Sequence, residues 1–180
     1  MAALNPTEML LVPRLLTRFN DVFKSKIEAL PEPQKEGIQK AIAAKLQIMK
    51  ATGKHVHEEI DAKAMVNFKA ALGGRAKNLI TGSAPVASDI LDFMKVTLCS
   101  PIREGYGQTE TTAAATATFA NDPESGHVGG PYPCCYVKLV DVPDMHYLTT
   151  DICAETGVSM PRGEICFKGP SVFSGYFMNE

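Results

Sequence analysis

A chain of 180 residues with 45% hydrophobic and 21% charged content is ordinary for a globular protein and long enough to bury a core. A net charge of −2 gives no electrostatic case for nucleic acid or an anionic membrane surface, and no apolar run approaches the ~20 residues that span a bilayer. Five cysteines without a C-x-x-C pair, adjacent Cys134 and Cys135 included, are expected to be reduced thiols packed as small apolar groups.

The Met9–Val12 patch between Glu8 and Arg14 is too short for a signal peptide. Pro6 to Phe23 reads as a short entry and an amphipathic helix, with Leu15, Leu16, Phe19, Val22 and Phe23 near one face, broken by Pro31 and Pro33. Gln34 to Lys50 is a second helix, with Ile38, Ile42, Leu46 and Met49 at helical spacing and Gly53 as its stop. In Lys54–Glu59, two histidines at alternate positions, His55 and His57, invite a metal reading. No second ligand pair lies nearby, so a solvated polar connector is the expectation. A third helix is expected over Ala62–Leu72, stopped by Gly73-Gly74.

Asn78-Leu79-Ile80-Thr81 then reads as a short buried strand, and Gly82-Ser83-Ala84-Pro85 as a turn. Ser88 or Asp89 is expected to cap a helix carrying Ile90, Leu91, Met94 and Leu98, and a second strand should end near Arg103. This strand–turn–helix–strand order predicts an α/β fold with a parallel unit and flanking helices, whose ligands sit beyond the carboxyl ends of the strands. After about Asn121, Gly, Pro and β-branched residues dominate, with strands expected at Tyr136–Asp141 and Gly163–Lys168. The chain therefore divides into a helical and α/β portion, 1–120, and the start of a β-rich subdomain, 121–180. The latter stops on Phe177-Met178-Asn179-Glu180 without an obvious ending.

The most informative stretch is Glu104-Gly105-Tyr106-Gly107-Gln108-Thr109-Glu110. Its glycines let backbone approach a ligand, its aromatic ring can stack on a base, its threonine hydroxyl can meet a phosphate, and a carboxylate can hold Mg2+. The competing reading is a tight turn in which Thr109 caps a helix beginning at Glu110. The small, nearly uncharged Thr111–Thr118 run fits either an acyl tunnel or close helix packing. His127 and His146 are read as carrying no chemistry.

The same run resembles the adenylate-forming motif of acyl-CoA synthetases, in the form found in long-chain fatty-acid–CoA ligases. Other stretches agree in order: Thr81-Gly82-Ser83-Ala84-Pro85-Val86, Gly126-His127-Val128-Gly129-Gly130-Pro131 with Val137–Val142, and Arg162-Gly163-Glu164 through Gly169-Pro170 with Gly175-Tyr176. Val12-Pro13-Arg14-Leu15-Leu16 is a looser match. The resemblance implies part of the adenylate-forming N-terminal domain and ATP-dependent activation of a long-chain fatty acid. An acyl-adenylate forms, and coenzyme A then attacks it. By resemblance Tyr106 stacks on adenine, Thr109 contacts the α-phosphate and Glu110 holds Mg2+. Gly105 and Gly107 let the backbone approach AMP, while Glu104, Gly82, Ser83 and Ala84 line the adenine pocket. Gly163-Glu164 and Gly175-Tyr176 are read as fold markers.

Arg103 departs from the apolar residue that precedes the glutamate in the long-chain enzymes. No stretch reads T-S-G-T-T-G, and the family's ribose-binding aspartate and catalytic lysine have no match, so the 180 residues alone are expected to be inactive. Two alternatives stand beside the ligase: a truncated non-catalytic relative that binds nucleotide, lipid or a protein partner, and an adenylate-forming ligase for another carboxylic acid. The resemblance further implies a parent attached to endoplasmic reticulum, mitochondrial or peroxisomal membrane at its cytosolic face, although these residues hold no targeting or membrane-spanning segment.

Overall fold

Glu8–Leu11 forms a strand, β1, where the sequence suggests only an entry to a helix. It pairs in parallel with β2 (Asn78–Thr81), from Glu8 opposite Asn78 to Leu11 opposite Thr81. β2 in turn pairs in parallel with β3 (Ile102–Tyr106), Leu79 facing Ile102 and Thr81 facing Glu104. This is the expected α/β arrangement, described over residues 3–178 in a computed structural model. Asn179 and Glu180, at the chain end without an obvious stop, lie outside the described residues. The chain forms two units, Met1–Tyr106 with Ala117–Gly129, and Gly107–Thr116 with Gly130–Glu180.

In the first unit, Pro13 supplies the pre-set φ of a first helical position and opens α1 (Pro13–Glu28). Leu16, Phe23 and Ile27 are buried and Leu15 and Phe19 partly so, whereas Val22, expected near the same face, is exposed. Helix α2 (Glu32–Thr52) buries Ile42 and Met49 and ends before Gly53, whose φ is 70°. The expected third helix is broken. A single helical turn, Glu58–Ile60, runs into a π-turn, Asp61–Met65, before α-geometry resumes over Val66–Ala70. The wider turn keeps Asp61 and Met65 on the buried side while Phe68 packs edge-on to Phe23, ring centroids 5.0 Å apart.

The connector before this turn is exposed at Lys54, Val56, Glu58 and Glu59, as the sequence suggests, but not at His55. His55 is 4% exposed, and its Nε2 donates to the Ala120 carbonyl at 2.6 Å. The next full helix, α3 (Ser88–Leu98), begins at Ala87 with no side-chain cap, so neither Ser88 nor Asp89 plays the expected part. The Ala87 carbonyl takes the first amides, from Ile90 and Leu91, which places Ser88 already inside the helix. α3 buries Leu91, Met94, Val96 and Leu98 against α1 and α2, and Leu79 and Ile102 close this core from the sheet.

In the second unit, strands Tyr136–Val140 and Glu164–Lys168 pair antiparallel, Tyr136 opposite Lys168 and Val140 opposite Glu164, close to the expected spans. Arg162 organises the intervening loop: it meets Asp151 at 2.8 Å, the His146 carbonyl at 3.2 Å and the Tyr147 ring at 5.2 Å. The five cysteines are free. Among the described residues no helix is long and apolar enough to cross a membrane.

Candidate nucleotide site

The carboxyl ends of β2 and β3 carry the first unit's share of the candidate residues. β3 does not stop at Arg103, as the sequence suggests, but continues to Tyr106. Both flanks of Glu104 explain this: Thr81 of β2 lies opposite it, and its amide donates to Thr118 Oγ1 at 3.0 Å while its carbonyl accepts from the Thr118 amide at 2.9 Å. Gly105 is therefore strand rather than turn. Beyond β2 the chain turns through Gly82-Ser83-Ala84-Pro85, with Ser83 held at φ 74°. A Cβ on Gly82 would sit 3.0 Å from the Gly105 carbonyl, so the two strand ends approach closely at this point.

Glu104 is 5% exposed, and its Oε1 accepts from the Val86 amide at 3.3 Å, tying the end of the turn to β3. Its Oε2 and the Thr81 hydroxyl are both buried without a hydrogen-bond partner. They stand opposite each other in the strand register, on the same buried face. Buried polar atoms are nearly always satisfied, so an exception calls for an explanation, such as a water or ion that completes the set. Tyr106, two residues further along β3, is about one-third exposed. Sequence reasoning missed Thr81, because a threonine in an apolar strand reads only as a β-former.

The second unit carries Gly107, Thr109 and Glu110. A Cβ on Gly107 would run into the Ala113 carbonyl oxygen, which requires glycine there. Thr109–Thr111 forms a 3-10 turn capped by Gln108 rather than by Thr109. The Gln108 amide donates to Thr111 Oγ1 and the Gln108 carbonyl accepts from the Thr111 amide, both at 3.0 Å, so Thr111 occupies the cap and leaves Thr109 at the surface. The run that follows is not helical. Thr112 and Ala113 take φ of 55° and 84°, which removes helix packing as the reason for its small residues.

Glu110 is exposed and receives a 2.6 Å hydrogen bond from the Tyr176 hydroxyl on Oε1. That bond holds the Glu110 carboxyl below the usual carboxylate range and pushes the Tyr176 phenol up. Among the described residues no cluster of three His, Cys, Asp or Glu could hold a metal by itself. A lone carboxylate suits Mg2+, which keeps its waters and reaches proteins through one or two carboxylates plus substrate phosphates. His127 serves a local turn: Nδ1 accepts from the Gly129 amide at 3.1 Å, and Nε2 lies 3.3 Å from Asp122.

A parallel α/β unit with this motif at its strand ends defines the adenylate-forming class, and residues 1–177 match the profile of the AMP-binding enzyme family. The chain belongs to that family. It is 37% identical over 179 residues to the peroxisomal long chain acyl-CoA synthetase 7 of Arabidopsis thaliana, covering 99% of this chain and 25% of that protein. It is 38% identical over 182 residues to long-chain-fatty-acid–CoA ligase 6 of Rattus norvegicus, covering 100% and 24%. Among solved structures it resembles the adenylation domain of a carboxylate reductase from Mycobacterium chelonae, at 29% identity and a TM-score of 0.67 over 98% of this chain and 22% of that one. The chain thus spans about a quarter of the length of the curated relatives it matches.

Proposed function

We propose that this chain is the nucleotide-contacting portion of an ATP-dependent ligase that activates long-chain fatty acids to acyl-CoA through an acyl-adenylate. Residues 1–120 form the helical and α/β part of its AMP-binding domain, and 121–180 open the β-rich subdomain. The observation that carries the reading is the buried, unsatisfied pair of Thr81 Oγ1 and Glu104 Oε2, at the ends of adjacent parallel strands, with Tyr106 two residues further along β3. Tyr106 stacks on adenine, with Gly82, Ser83, Ala84 and Glu104 as the lining. Gly105 and Gly107 let the backbone approach the AMP moiety, and Thr109 contacts the α-phosphate. Glu110 holds the Mg2+ that accompanies ATP and neutralises charge developing on the phosphates when bound. The protein's part is to position the groups and offset that charge.

The relatives' names support the rest. Long-chain acyl-CoA synthetases act on a fatty acid and coenzyme A, and these are the co-substrates assigned to the parent. The peroxisomal label on one relative supports placing the parent at an organelle. Turnover is assigned to a longer polypeptide, because this chain spans only a quarter of such enzymes. Calorimetry with AMP tests the site in the 180 residues: binding that falls about 5- to 150-fold in Tyr106→Ala and survives in Tyr106→Phe supports it, given about 1–3 kcal/mol per stacked base. No AMP binding, or equal binding by Tyr106→Ala, removes it.

A further inference from the structure

Glu110 is held by a segment far from it in sequence. The Tyr176 hydroxyl donates to Glu110 Oε1 at 2.6 Å across 66 residues, and the Phe173 amide donates to the Glu110 carbonyl at 3.2 Å. One residue beyond the 3-10 turn, Thr112 Oγ1 donates to the Ser171 carbonyl at 2.6 Å. Tyr176 is itself fixed: its ring meets Phe173 edge-on at 90°, centroids 5.1 Å apart. Both the backbone and the carboxylate of Glu110 are therefore set by the segment Ser171–Tyr176, and all these contacts lie within one unit.

We infer that Tyr176 is a positioning residue, which orients the Glu110 carboxylate so that its other oxygen is presented to the divalent cation carried by a nucleotide; this rests on the nucleotide reading above. The chemistry favours a hydroxyl in this place. A phenol donor occupies one carboxylate oxygen without neutralising the charge, whereas Lys or Arg would compete with the cation. An exposed glutamate samples several rotamers, and ordering it in advance removes part of that entropy from the binding step. A role as a fold marker accounts for Gly175-Tyr176 being present but not for a hydroxyl aimed at a carboxylate.

The test is calorimetry on the 180-residue chain with AMP, with ATP in EDTA, and with ATP in excess MgCl2. It compares wild type with Tyr176→Phe, Glu110→Gln and the double variant. The expected result is that Tyr176→Phe leaves AMP and metal-free ATP unchanged and loses about 3- to 10-fold of the gain that Mg2+ gives, as for a hydrogen bond to a charged group near the surface. Glu110→Gln should lose that gain too, and the double variant should lose no more than Glu110→Gln alone. A Tyr176→Phe chain with the full Mg2+ gain overturns the inference, as does an equal loss for AMP and ATP, which marks a merely structural role. AMP binding with no Mg2+ gain in wild type sinks the positioning role alone. Absence of all nucleotide binding sinks the nucleotide reading together with it.

Discussion

The Lys45 ammonium lies 2.5 Å from Oδ1 of Asp61, with the two residues 2% and 6% exposed. Its other donors reach the Val96 carbonyl at 2.6 Å and the Cys99 sulfur at 3.1 Å, and Asp61 Oδ2 accepts from the His57 amide at 3.0 Å. One ion pair therefore joins α2, the π-turn and the end of α3. A buried pair of this kind is weak as net stability, yet removing one member strands the other charge. Lys45→Met should lower the unfolding free energy by about 3–5 kcal/mol, and Lys45→Met with Asp61→Leu should recover most of it. Urea unfolding measures both; a single variant within ~1 kcal/mol of wild type would show that the pair is dispensable.

His55 predicts a pH dependence. Burial is the main cause that lowers its pKa below 6.5, with the Ala120 carbonyl working partly against it. The unfolded chain therefore binds a proton at higher pH than the folded one. The folded state has its full stability above about pH 6.5 and loses it as pH falls through 6.5 towards the folded value. The urea midpoint should drop between about pH 7.5 and 5.5, and His55→Gln should flatten that drop. An equal slope in both proteins would assign the effect elsewhere.

Two glycines should respond with opposite sign. Gly37 sits inside α2 with open space where a side-chain methyl would point, no heavy atom lying within 4 Å, so Gly37→Ala should raise stability by about 0.5–1 kcal/mol. Gly107→Ala should lower it by about 1–3 kcal/mol, because its methyl would meet the Ala113 carbonyl. Paired thermal melts decide the matter: a lower Tm for Gly37→Ala would contradict the open space at Gly37, and a higher Tm for Gly107→Ala would contradict the packing at Gly107.

Thiol labelling should follow exposure. Cys134 is exposed, and hydrogen bonding from Thr156 lowers the Cys153 thiol, whereas burial pushes the Cys99 thiol up. Under native conditions a disulfide reagent should modify Cys134 and Cys153 first and reach Cys99 only on unfolding. Mass spectrometry of a time course checks the order, and early labelling of Cys99 would mean that its helix end opens.

The elements that sequence reasoning reached were those whose signal is local. Ile42 and Met49 at helical spacing mark α2, and Asn78–Thr81 coincides with β2 because Gly82 bounds it. β1 escaped because four residues between Pro6 and Pro13 carry too little periodicity, and their pairing with β2 is a long-range fact. Lys45 looks like any lysine on a helix until Asp61 is brought to it, and the π-turn that does so has no sequence mark. At the candidate site the contiguous run from Glu104 to Glu110 was legible as a motif. Thr81 and the contact of Tyr176 were not, since each gains its meaning from a residue on another segment.

The chain passes between its two units after Tyr106, after Thr116 and after Gly129. The late piece, Ala117–Gly129, gives Thr118 to Glu104, the Ala120 carbonyl to His55, and Ser125 to Lys95 and Asp92. On the ribosome, where residues emerge from the amino end onward, the segment up to Tyr106 holds these polar groups before their partners are made. The helical half therefore completes its folding only when the chain as far as Gly129 has left the exit tunnel, and a nascent chain halted shortly after Tyr106 still lacks those partners.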